Sequence, residues 1–267
     1  MKKGLITAAK FIIFFIGWAV LAGITEVPCE ENPVVWRFFA ELIPFLWIII
    51  FTVIFLLFEK GNVKLPVMTN LKKGFVIGTV SGIVWTAVPS ALLMTTGLLS
   101  IAEKNQIDNL WLWIISAFIN VCMQELLIRG YLYQLIKERH NSIAAVFITS
   151  SLFTFIHGGA FEAGIIAVIN VFTMSLFVSM LYESEDTIIA PIMAHAVWNI
   201  IGAIFLGEVS LADDYPNLYS VTTSDNVLLS GGEYKIEASI IVMFINIILT
   251  VIFFYKNKNK SKKITDY

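Results

Sequence analysis

Charge is scarce in this chain: Asp, Glu, Lys and Arg make up 14% of its 267 residues, against roughly 25% in a soluble domain. Cysteine is scarcer still. Cys29 falls in a loop and Cys122 in an apolar run, which gives neither a disulfide framework nor a metal-ligand spacing. The short alternating segments of a transmembrane barrel are missing, and so is an HExxH zinc motif. The final Thr265-Asp266-Tyr267 is no lipidation signal, so the chain is not expected to be prenylated itself. Met1-Lys2-Lys3 before an apolar run imitates a signal peptide, but an acidic continuation replaces the small-residue cleavage site, and the run reads as a retained span. With no internal repeat and no composition break, residues 1–267 are expected to form a single integral membrane domain.

What is present is hydrophobicity, at 58% of residues with a mean hydropathy of +0.81. The pattern predicts an all-α, polytopic membrane protein of about eight spans, over 5–24, 39–58, 74–100, 110–135, 143–157, 161–181, 187–206 and 238–255. All but four of the 18 basic residues fall on the N-terminal side of these spans, the exceptions being Arg37, Lys104 and Lys235 opposite and Arg129 inside. Positive charge is retained in the cytoplasm, so both termini are expected there, with the basic tail 256–267 as a topology anchor at the inner leaflet. The opposite loops are acidic: Glu26, Glu30 and Glu31, then Asp213, Asp214, Asp225 and Glu233 in a long 207–237 connection read as surface-exposed. Gly74, Gly78 and Gly82 repeat at four-residue spacing, which lets helices approach closely and reads as packing.

Three spans carry polar groups that a simple anchor does not need. The run from Leu110 to Leu135 holds Asn120, Gln124, Glu125 and Arg129, and a charged side chain inside a span costs roughly 2.5–3.5 kcal/mol on insertion scales. Glu125 and Arg129, four residues apart, share a helix face and can pair. Phe153-Thr154-Phe155-Ile156-His157 closes the fifth span, where Gly158 and Gly159 cut it short and leave space. His195-Ala196-Val197-Trp198-Asn199 puts His195 and Asn199 on one face of the seventh. At compatible depths, Glu125, Arg129, His157, His195 and Asn199 are expected to line a cavity open to the cytoplasm.

A carboxylate and a neutral imidazole can hold and deprotonate a water, while a second histidine and an Asn amide can donate hydrogen bonds to the oxyanion of an attacked carbonyl. That is amide hydrolysis by activated water, without a serine or cysteine nucleophile. No cofactor is required. Two histidines and a glutamate also match the ligand types of catalytic zinc, which leaves a divalent metal open as the competing chemistry. A small proton-coupled transporter would use the same groups as a relay, but inverted repeats are missing and the charged groups cluster in one half of the chain.

At these three segments, QELLIR (Gln124 to Arg129), FTFIH (Phe153 to His157) and HAVWN (His195 to Asn199), the chain resembles the CPBP family of intramembrane proteases. These are also called CAAX-protease and bacteriocin-processing or Abi proteins and include the Rce1-type prenyl-protein proteases. The family pattern is EExxxR, FxxxH and HxxxN or HxxxD, and the Arg129-Gly130 step also looks like the family. The resemblance implies a hydrolase acting on a membrane-associated peptide or protein, with no nucleic-acid partner, in a multi-pass protein of a bacterial plasma membrane. It implies His157 as the water-holding imidazole, His195 and Asn199 as oxyanion donors, Glu125 as the remaining catalytic carboxylate beside Arg129, and Phe153 in support. The departure is Gln124, where the family has its base: an amide cannot take a proton from water at neutral pH. Three readings follow. Glu125 acts as base after a small helix rotation, His157 does so in a slow enzyme, or the chain is a non-proteolytic relative that binds a peptide in bacteriocin immunity or regulation.

Overall fold

The computed structural model describes residues 2–67, 69–210 and 215–265; Met1, Asp213, Asp214, Asp266 and Tyr267 of the foregoing reading lie outside the described residues. The apolar runs fold as helices: α1 (Lys2–Ile24), α2 (Pro33–Glu59), α3 (Leu71–Thr95), α4 (Leu110–Arg129), α5 (Tyr131–Arg139), α6 (Ser142–Ile156), α7 (Gly158–Ala163), α8 (Ile165–Glu185), α9 (Ile189–Val197), α10 (Val227–Ser230) and α11 (Ile240–Thr265). Among the described residues, six helical stretches are long and apolar enough to cross a membrane by length and composition, which fits an all-α multi-pass membrane protein. The expected spans 143–157 and 187–206 fold as shorter apolar helices, Ser142–Ile156 and Ile189–Phe205. At 15 residues, α6 is about 22 Å long.

The described chain divides into two compact units, Met1–Pro66 with Asn109–Thr149, and Val67–Asp108 with Ser150–Tyr267. In the first, α2 starts cleanly because the Asn32 side chain accepts from the Val35 N–H at 3.4 Å and Pro33 occupies the first turn, where its missing N–H costs nothing. α1 lies on α2 through Gly17, where a Cβ would stand 2.7 Å from the Phe51 ring. Phe14 contacts the rings of Phe51, Phe55 and Tyr131 at 6.0, 5.2 and 5.0 Å. At the end of α2 the buried Glu59 carboxylate takes Lys10 at 2.5 Å, Arg139 at 2.9 Å and the Tyr131 hydroxyl at 3.0 Å. A carboxylate out of water needs such partners, and here they tie α1, α2 and α5 together. The corner between α4 and α5 is Gly130, where a Cβ would meet the Leu126 carbonyl oxygen at 2.1 Å, so no other residue fits.

In the second unit the four-residue glycine ladder packs α3 against α9. A Cβ on Gly78 would lie 2.4 Å from the Ala190 oxygen, and one on Gly82 would lie 2.8 Å from the Ala194 oxygen. The buried Trp85 of α3 donates to Asn246 Oδ1 at 2.7 Å; Asn246 in turn donates to Asn170 O and Thr173 Oγ1 at 3.2 and 3.1 Å. These bonds join α3, α8 and α11 in a layer where hydrocarbon offers the polar groups no alternative partner.

Two expectations are corrected here. The third span was expected to stay helical to residue 100, but α3 ends at Thr95, Gly97 turns at φ 71°, and Leu99–Lys104 forms a strand, β1. β1 pairs antiparallel with β2 (Tyr219–Thr223), Leu99 facing Thr223 and Ile101 facing Val221. The 207–237 connection, read as surface-exposed, is therefore partly built in: it supplies β2 and buries Glu208, Val209, Ser230 and Ile236. Glu208 accepts from the Ser90 hydroxyl, and its burial lifts the carboxyl to about 7.

Candidate active site

The second unit carries Phe153, His157, His195 and Asn199. His157 stands at the break between α6 and α7, with φ −91° and ψ 67°, where the chain leaves the helix before Gly158. Its Nδ1 is 2.6 Å from the Phe153 carbonyl oxygen. A carbonyl only accepts, so Nδ1 carries a proton, and in a neutral ring Nε2 is then the accepting nitrogen. The backbone thus sets the tautomer that a water-holding imidazole requires.

Phe153, fully buried, supplies more than that carbonyl. Its ring lies 4.1 Å from the His157 ring and 6.0 Å, edge-on at 71°, from the ring of His195. One aromatic therefore brings the two motif histidines into one cluster. His195 is 2% exposed, on the helix that the glycine ladder holds. From Trp198 to Phe205 the winding widens into a π-helix, a feature frequent at functional sites. The α-helical phase expected to align His195 with Asn199 accordingly changes at Trp198. Asn199, 4% exposed, is fixed through its neighbour: Trp198 stacks on Trp85 at 4.2 Å and 18°.

The first unit carries Gln124, Glu125 and Arg129 on α4. Arg129 donates to Glu125 at 3.2 Å, and both side chains are closed off, at 1% and 0% exposure. The expected lining of an open cavity by this pair is thus corrected: each ion is buried by and against the other, an arrangement that suits support rather than proton exchange with water. Gln124 points along a different line. Its Nε2 donates to Asn120 Oδ1 at 2.7 Å, Asn120 Nδ2 donates to Glu41 Oε2 at 2.7 Å, and Arg37 pairs with Glu41 Oε1 at 3.0 Å. Sequence reasoning saw Glu41 only as a residue near an interface and gave Asn120 no role. The signals were an acid inside an otherwise apolar helix and an Asn four residues before Gln124.

A cavity of about 360 Å³ opens on the second unit, lined by Ser151, Thr154, Phe155, Phe161, Val168, Ile169 and Phe172. Its lining is apolar and contains none of the expected catalytic side chains. Among the described residues, no group of three His, Cys, Asp or Glu side chains is gathered as a metal ion would require.

Residues 106–201 match the model of a known family, described as type II CAAX prenyl endopeptidase, Rce1-like. The matched stretch holds Gln124, Glu125, Arg129, Phe153, His157, His195 and Asn199 together. No curated protein and no solved structure matches the chain.

Proposed function

We propose that this chain, whose residues 106–201 match the Rce1-like family model, is a membrane endopeptidase that hydrolyses a peptide bond of a membrane-associated peptide or protein. The observation that carries the reading is the His157 ring, held through Nδ1 by the Phe153 carbonyl at 2.6 Å so that Nε2 accepts. In this mechanism Nε2 takes a proton as the water oxygen attacks the carbonyl carbon. His195 and Asn199 donate to the oxyanion, and the imidazolium returns its proton to the leaving amine as the C–N bond breaks. The resemblance gives Glu125 with Arg129 a supporting role, which their closed ion pair fits better than proton transfer. True CAAX processing needs prenylated proteins in the host. The charge bias of the loops supports cytoplasmic termini and cleavage from that side of a plasma membrane.

One observation favours a second reading, a non-cleaving relative that binds a peptide in immunity or regulation: the amide of Gln124 stands where the family has its base. Purified protein in nanodiscs, offered a library of membrane-anchored peptides, separates the two. Cleavage by the wild type that vanishes in His157→Ala supports the endopeptidase. A silent wild type with activity gained in Gln124→Glu means a site that lacks only its base, and the binding relative takes its place.

A further inference from the structure

The hydrogen-bond line on α2 and α4 has a direction. Glu41 is paired with the Arg37 guanidinium at 3.0 Å and is a carboxylate, which accepts and never donates. Its Oε2 lies 2.7 Å from Asn120, so Asn120 must turn its NH₂ toward Glu41. The Asn120 carbonyl is then the end that faces Gln124, and at 2.7 Å only the Gln124 NH₂ can meet it. That leaves the Gln124 carbonyl Oε1 as the end turned away; it is buried and finds no hydrogen-bond partner among the described residues. Reversed, either amide would set two acceptors face to face.

We propose that Glu41 and Asn120 are positioning residues that lock the Gln124 amide with its carbonyl outward, so that this motif position presents a hydrogen-bond acceptor. A buried acceptor without a partner is costly, and that cost is relieved when a donor arrives. Resting on the endopeptidase reading, that donor is an O–H of the attacking water or the N–H of the bound peptide. Gln124 thus keeps half of a carboxylate's work at this motif position: it orients a donor but takes up no proton.

The chain of bonds can be run backwards, and that tests it. Gln124→Glu places an acceptor against the Asn120 carbonyl. Adding Glu41→Gln replaces the carboxylate on α2 by an amide that can donate to Asn120, which turns over and donates to the new carboxylate on α4. Melting temperatures of wild type, E41Q, Q124E and E41Q/Q124E in nanodiscs are compared, with kcat and KM for any peptide the wild type cleaves. The expected result is that Q124E melts several degrees below wild type and that the double variant regains most of the loss. E41Q alone, which frees both amides to turn, is expected to lower kcat several-fold with KM within about twofold. A double variant that melts at or below the sum of the single losses overturns the proposal, as does failure of both Q124E and E41Q/Q124E to fold. Rescue of stability with no cleavage by any variant upholds the amide orientation and removes the endopeptidase reading.

Discussion

The ion-held junctions of the first unit and the histidine cluster of the second are held in opposite ways. In the first, three junctions rest on ions: Glu59 between Lys10 and Arg139, Glu125 on Arg129, and Arg37 on Glu41 with two amides beyond it. In the second, the histidine cluster is held by a backbone carbonyl and an aromatic ring, and the helix beneath it by a glycine ladder and a Trp stack. Ion pairs fix position strongly, but each partner becomes costly once the other is removed. Carbonyls and rings hold an imidazole while leaving one nitrogen able to gain and lose a proton. The contrast is between junctions fixed by ions and an imidazole fixed by a backbone carbonyl.

Substitution can break this contrast at either end. The largest effect is expected from Arg129→Met, which strands the enclosed Glu125 carboxylate and costs about 3–5 kcal/mol. Glu125→Gln in the same chain is expected to recover much of it, read by thermal melting in nanodiscs. His157→Ala comes next and sharpens the contrast. It is expected to cut cleavage by about 10²–10⁴-fold while the melting temperature stays near wild type, since the ring is held by a carbonyl rather than by an ion. Gly78→Val drives a side chain into the Ala190 backbone and moves α9; about 1–3 kcal/mol of stability and a matching loss of cleavage are expected.

The smallest effect belongs to Glu208. Its folded-state value of about 7 stands above the ordinary 4.5, so the folded chain keeps a proton that the unfolded chain gives up. Stability from this group is complete below about 4.5 and is lost as pH rises through about 7. Glu208→Gln is expected to flatten the melting temperature across that window, and an unchanged slope would remove Glu208 as its source.

Span positions were legible because a bilayer imposes long apolar runs, and the motif residues because each is polar where polarity is costly. The Glu125 to Arg129 pair was legible too, being separated by one helical turn. Contacts between distant residues were not. Glu41 looked like an ordinary residue near an interface until Asn120, 79 positions later, met it. The glycine ladder announced close packing without naming α9 as its partner. β1 and β2 are short strands that gain meaning only from each other, and the π-helical winding after Val197 follows from packing around Trp198 rather than from any local period.

The brevity of α6 bears on the lipid as well as on the protein. A helix of about 22 Å falls roughly 8 Å short of a hydrocarbon layer of about 30 Å. The acyl chains beside it must compress or the headgroup region must dip, each at a fraction of a kcal/mol per Å. His157 sits one residue beyond the end of that helix, on the side away from Arg139. Acyl-chain length thus bears on how α6 is accommodated: thin bilayers meet it without deformation, and thick ones must thin around it.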